Sequence, residues 1–112
     1  MKTFDEYHAG AQRTVNQSLT ENEQLINAAL GLAGEAGEFA DLVKKWRYQE
    51  HDFDHEKARK ELGDVLWYMD LAASALGVTL GEIAAQNVAK LQARYPDRFI
   101  GELSRNRAAG DD

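Results

Sequence analysis

Glu61-Leu62-Gly63-Asp64-Val65-Leu66-Trp67-Tyr68-Met69-Asp70-Leu71-Ala72-Ala73-Ser74-Ala75-Leu76 reads as one long helix. Leu62, Val65, Leu66, Met69, Ala73 and Leu76 recur at spacings of three and four, which lays them along a single stripe of a helix surface. Glu61, Asp64 and Tyr68 keep the same spacing but lie beside that stripe instead of opposite it, so packing predicts their partial desolvation. Gly77 follows directly and suits the left-handed conformation that ends a helix. A start near Asp52 or Asp54, ahead of Lys57-Ala58-Arg59, places the helix over about residues 55–76.

The same logic extends outward in both directions. Thr3 with Glu6, Thr20 with Glu23 and Thr79 with Glu82 are three Thr-x-x-Glu pairs. In such a pair the hydroxyl accepts from an orphan backbone N–H while the carboxylate reaches back to the cap. They predict helices over about 3–15, 21–49 and 80–95, the last stopped by Pro96. No stretch alternates with period two. The predicted fold class is therefore all-α, in a four-helix bundle-like arrangement. With 112 residues the chain is read as a single domain, 1–112, in which 97–112 form a polar tail. Gly101–Asp112 is expected to fray unless it docks on a partner chain.

Composition removes several function classes. There is no cysteine, which excludes disulfide scaffolds, thiol catalysis, zinc ribbons and iron–sulfur clusters. No apolar run reaches the ~20 residues of a membrane span, and Met1–Gly10 lacks a signal-peptide core, so a cytoplasmic protein with no membrane partner is expected. Thirteen basic against 19 acidic residues leave a net charge of −6, which argues against nucleic acid as a partner. So small a chain has a thin core, and oligomerisation is expected to complete it.

Gly31-Leu32-Ala33-Gly34-Glu35-Ala36-Gly37-Glu38-Phe39-Ala40 is the second informative stretch. Each interior glycine costs a helix about 1 kcal/mol relative to alanine, so three in seven residues need a reason. Close approach of a neighbouring helix and a local kink are both open readings. Glu35 and Glu38 share a face, and Glu61 and Asp64 repeat the spacing on the next long helix. Four converging carboxylates repel one another unless a cation sits between them, and a hard divalent ion such as Mg²⁺ suits an all-oxygen set. A single pair of this kind is common on exposed faces; two pairs on successive helices carry more weight. A ferritin-like di-iron site is disfavoured, since no Glu-x-x-His occurs. His51 and His55 are read as capping or solvent-exposed residues in preference to ligands. Asn87, Lys90 and Arg94 fall on one stripe of the last helix with Tyr95 adjacent, a set suited to phosphate oxygens. For Lys90 and Arg94 alone a solvated face is the simpler reading. Trp46, Trp67, Phe39 and Tyr48 are candidates for stacking on a base, although aromatic residues at helical spacing more often belong to a core.

Three blocks then agree, in order, with one family. They are Leu32-Ala33-Gly34-Glu35-Ala36-Gly37-Glu38-Phe39, Glu61-Leu62-Gly63-Asp64-Val65-Leu66-Trp67-Tyr68, and Asn87-Val88-Ala89-Lys90-Leu91-Gln92-Ala93-Arg94-Tyr95-Pro96. Over about residues 25–99 the chain resembles the MazG-like all-α nucleoside triphosphate pyrophosphohydrolases. The resemblance implies hydrolysis of a ribo- or deoxynucleoside triphosphate to the monophosphate and pyrophosphate, with Mg²⁺ as cofactor and Mn²⁺ as its substitute. By position it implies Glu35, Glu38, Glu61 and Asp64 as metal ligands, with Glu38 the candidate to orient or deprotonate the attacking water. It further implies Tyr68, Asn87, Lys90, Arg94 and Tyr95 as substrate-binding residues, and a homodimer or homotetramer. This chain carries Gly34 where many members carry a further Glu directly before the first motif glutamate. A dUTPase- or dCTPase-type enzyme, a phosphoribosyl-ATP pyrophosphatase, and a non-catalytic helical module that binds metal or nucleotide are the alternatives.

Overall fold

Local capping chemistry sets the helix boundaries in the computed structural model, which describes Met1 and residues 3–107. In order these are α1 (Phe4–Gln12), α2 (Glu21–Tyr48), α3 (His55–Ala75), α4 (Leu80–Arg94) and α5 (Gly101–Arg105), with no strand among the described residues. Thr20 and Glu23 form a complete capping box: the Glu23 N–H donates to the Thr20 hydroxyl at 3.2 Å and the Thr20 N–H to the Glu23 carboxylate at 2.9 Å. At Thr3 the hydroxyl accepts from the Glu6 N–H at 3.1 Å. Asp54 settles the start of α3, accepting from the Lys57 N–H at 3.0 Å. The end of α3 is a Schellman motif: Gly77 has φ +76°, its N–H bonds the Ser74 carbonyl, and the Val78 N–H reaches back to Ala73, both at 3.0 Å.

α1 ends at Gln12, earlier than the spacing predicts. Beyond it the Thr14 hydroxyl donates to the Ala11 carbonyl at 2.7 Å, and Asn16 turns the chain by accepting from the Ser18 N–H at 3.0 Å. Side chains of this type compete with helical hydrogen bonding and start turns. The stretch expected to fray contains the five-residue helix α5, and residues 108–112 lie outside the described residues.

α2 runs for 28 residues without interruption, so the glycine run does not break it. Gly31 explains itself through packing: a Cβ there would fall onto the ring of Tyr68 in α3. Around Gly34 and Gly37 there is open space, and nothing in the structure explains them. Gly31 meets Tyr68 while Glu35 meets Glu61 and Asp64, so residue numbers rise along α2 as they fall along α3. The two helices therefore form an antiparallel hairpin, closed by the loop over residues 49–54.

The core is made of small residues. Among the described residues Ala28, Ala58, Leu71, Ala73 and Leu80 are the buried apolar side chains, and no large side chain is fully buried. The apolar stripe of α3 is divided: Ala73 is buried and Val65 and Leu66 half-buried, while Leu62, Met69 and Leu76 are 51%, 38% and 62% exposed. The side of α3 turned to α2 is the one bearing Glu61 and Tyr68, so the centre of the apolar stripe is left uncovered. Ile26 and Leu30 of α2 are uncovered as well, at 59% and 71%.

The chain divides into two compact units between Leu80 and Gly81. In the second, the rings of Tyr95 and Phe99 lie 5.3 Å apart, and the Arg94 guanidinium stands 5.9 Å from the centre of the Tyr95 ring. No described helix is long and apolar enough to cross a membrane.

Candidate metal centre

Three carboxylates converge where α2 and α3 face each other. One oxygen from each of Glu35, Glu61 and Asp64 lies within 4.8 Å of the others. Glu35 and Glu61 are half-buried and Asp64 is exposed. Glycine at position 31 allows this: with no Cβ, the Tyr68 ring lies against the α2 backbone one turn before Glu35. Tyr68 stands seven residues, two turns, after Glu61 and so projects from the same side of α3. The Tyr68 ring meets the Trp67 ring edge to face, with centroids 5.0 Å apart and planes at 84°. Glu35, Asp64, Trp67 and Tyr68 line an open hollow of about 340 Å³.

The electrostatics of this cluster are unbalanced. Burial raises the Glu35 pKa above the ordinary carboxylate range; a hydrogen bond to Glu61 and the charges of Asp64, Glu61 and Glu38 push the same way. Oε2 of Glu61 is buried and has no hydrogen-bond partner. A buried carboxylate oxygen left unpaired is costly, and a cation is the ordinary remedy. The donor set is all oxygen, so a hard divalent ion that retains water fits it.

Glu38 is placed differently. It is exposed and stands outside the convergent trio, although its charge still reaches Glu35. It lines a second hollow, of about 470 Å³, together with Asp41, Lys45, His51 and Asp54. There Asp41 is compensated by cations. Asp41 pairs with Lys45 at 2.9 Å and Lys44 at 3.5 Å, and its carboxyl is held below the usual range, chiefly by the hydrogen bond from Lys45. The loop turns at Glu50, whose φ of 59° is left-handed, and the His51 N–H then bonds the Lys45 carbonyl at 3.2 Å. His51 and His55 are both exposed; the His55 ring packs edge-on to Phe53, which also meets Trp46.

Of the fourth-helix set, Asn87, Lys90 and Arg94 lie on α4 and Tyr95 follows it. Asn87 is exposed, while Lys90, Arg94 and Tyr95 are half-buried.

Sequence reading missed the contribution of α1. His8 Nδ1 donates to Asp70 Oδ2 at 2.9 Å, and Asp70 is 5% exposed. The Trp67 indole N–H donates to the Thr14 hydroxyl at 2.9 Å. The Tyr7 phenol is pushed up by burial first, then by the charges of Asp70 and Asp64. The only local signal was an aspartate, Asp70, set between Met69 and Leu71 in an apolar stretch; its partner lies 62 residues away.

No solved structure gives a significant match to the chain. A curated protein, the Gene 37 protein of Mycobacterium phage L5, is 38% identical over 89 residues, covering 76% of this chain and 78% of its own length. The family model that matches, over residues 23–99, is the MazG nucleotide pyrophosphohydrolase domain, and its span takes in α2 from its third residue onward and all of α3 and α4. The chain belongs to the MazG nucleotide pyrophosphohydrolase family.

Proposed function

We propose that this protein is a Mg²⁺-dependent pyrophosphohydrolase that cleaves a nucleoside triphosphate to the monophosphate and pyrophosphate in the cytoplasm, in the control of a nucleotide pool. The observation that carries the reading is the convergence of Glu35, Glu61 and Asp64 with a buried, unpartnered Glu61 oxygen. Those three residues would hold the ion, with Glu38 completing the set or acting as the base. A bound divalent ion supplies charge neutralisation at the phosphates and polarises the phosphoanhydride.

The residues of the chain supply the rest. The exposed Glu38 carboxylate accepts a proton from water as its oxygen bonds to phosphorus, and the bridging P–O bond to pyrophosphate breaks. Lys90 and Arg94 hold the departing negative charge, Lys as a point charge and Arg as a fork. Asn87, Tyr95 and Tyr68 orient phosphate oxygens. Tyr68 stands in the hollow that also contains Glu35 and Asp64, which suits that task.

The active form is proposed to be a homodimer or homotetramer, because Leu62, Met69 and Leu76 of α3 and Ile26 and Leu30 of α2 are uncovered in a single chain. A monomer that is fully active at working concentration by light scattering would refute this. The reaction is tested with Mg²⁺ and a panel of ribo- and deoxynucleoside triphosphates, with pyrophosphate and orthophosphate measured separately. Monophosphate plus pyrophosphate, lost in Glu38→Gln, is expected. Diphosphate plus orthophosphate would move the cleaved bond. Stabilisation by Mg²⁺ with no turnover of any nucleotide would make the protein a binding module.

A further inference from the structure

α1 is attached to the rest of the molecule in an unusual way. It is nine residues long and buries none of them. Isolated helices shorter than roughly 12–15 residues are marginal in water, so α1 needs external support. Among the described residues that support includes two long-range side-chain hydrogen bonds, His8 to Asp70 and Trp67 to Thr14, each 2.9 Å. Asp70 and Trp67 are three apart on α3 and so form a track along one of its sides.

Both contacts join α1 and the segment that follows it to the hollow's side of α3. Asp70 is one of the most buried of the described residues and the one buried polar side chain among them, in a core otherwise made of alanine and leucine, so it depends on a hydrogen-bond partner, which His8 supplies. Trp67 has two duties: its side chain lines the hollow with Glu35, Asp64 and Tyr68, and its N–H holds the segment that follows α1. The hollow and the docking of α1 thus share one indole. Tyr7, next to the anchoring His8, contributes with Phe4 and Leu66 to an apolar hollow of about 340 Å³ on this same side of α3.

We infer that α1 and the segment that follows it position the Trp67 ring at the nucleotide site, clamped onto α3 by Asp70 through His8 and by Trp67 through Thr14. Asp70 and Thr14 are positioning residues: they touch no reacting group and act by holding α1 and the Trp67 ring beside the carboxylate hollow. The inference rests on the pyrophosphohydrolase reading for its effect on substrate, whereas the clamp itself is testable without substrate.

The experiment uses the full chain with Trp46→Phe, which leaves Trp67 the sole tryptophan of the two. Thr14→Val, Asp70→Leu and Asp70→Asn are compared by amide exchange over residues 4–12, Trp67 emission, Mn²⁺ binding, and KM and kcat for the best nucleotide. Thr14→Val and Asp70→Leu are expected to speed exchange in α1 and raise KM about tenfold, the scale of one lost hydrogen bond, with Mn²⁺ affinity unchanged and kcat within about twofold. Thr14→Val is also expected to shift Trp67 emission. Asp70→Asn keeps an acceptor for His8 and is expected to behave as the parent. If Asp70→Leu fails to fold, Thr14→Val and His8→Ala decide the matter by the same readouts. Unchanged exchange in α1 would overturn the clamp; faster exchange with unchanged KM would overturn its positioning of Trp67 at the site. Absence of turnover in the parent protein would overturn the pyrophosphohydrolase reading and leave the clamp to be judged by exchange and emission.

Discussion

The two ends of the α2–α3 hairpin carry the same kinds of residue and treat them in opposite ways. Near the loop, Asp41 is neutralised by Lys45 and Lys44, and Asp54 is used as a helix cap. One to two turns back along α2, Glu35 faces Glu61 and Asp64, the Glu35 pKa is raised, and a Glu61 oxygen is buried without a partner. Carboxylates are common on helices, and their number identifies nothing. What marks a site is carboxylates brought together where the fold leaves them uncompensated.

The largest effect expected from this contrast is on metal binding and turnover. Glu61→Gln or Asp64→Asn should weaken Mg²⁺ binding, read by calorimetry, and lower kcat/KM by at least about a hundredfold, since even outer partners of metal ligands cost 10–100-fold. Asp41→Asn, one to two turns away, should leave both unchanged. Equal losses from the two ends would break the comparison.

A backbone contrast comes next. Gly31→Ala places a methyl group on the Tyr68 ring and should destabilise the fold by about 1–3 kcal/mol, with loss of Mg²⁺ binding as the helices separate. Gly34→Ala meets open space within the chain and should stabilise it by about 0.5–1 kcal/mol through helix propensity. Thermal or denaturant unfolding measures both. At the start of the same helix, Thr20→Ala should cost about 1 kcal/mol by removing the capping box.

The smallest effect is a difference in pH dependence. The raised Glu35 pKa means that the metal-free native state binds this proton more tightly than the unfolded chain does. Its contribution is therefore a penalty that is absent below the ordinary carboxylate pKa and grows as pH rises through the raised one. The lowered pKa of Asp41 has the opposite sign: its stabilisation is present above the ordinary pKa and disappears on acidification. Melting temperatures from pH 4 to 8 should accordingly flatten toward high pH in Glu35→Gln and toward low pH in Asp41→Asn. Saturating Mg²⁺ should abolish the first effect and leave the second.

Much of this was legible in sequence because it is local. Thr20 with Glu23, Gly77 after Leu76, and the three-residue spacing of Glu61 and Asp64 are each contained within one or two helical turns. The convergence of Glu35 with Glu61 was suggested by the repeated spacing, and Gly31 gave the packing reason for close approach. Glu38 shows the limit: it shares a helix stripe with Glu35, yet one turn of displacement puts it beside the other hollow. The outward face of α3 was equally hidden, since Leu62, Met69 and Leu76 have the periodicity of a buried stripe and are uncovered only because α3 turns its Glu61–Tyr68 side to α2. His8 and Asp70 are joined by tertiary structure alone.

The alanine-rich core has a calorimetric consequence. With Leu71 and Leu80 the largest buried side chains among the described residues, unfolding of one chain exposes little new apolar surface, and the heat-capacity increment of that step is expected to be correspondingly small. Any partner that binds the native chain and not the unfolded one would then add stability that is large relative to that small core. The melting temperature of this protein should accordingly climb as the concentration of any such binder is raised.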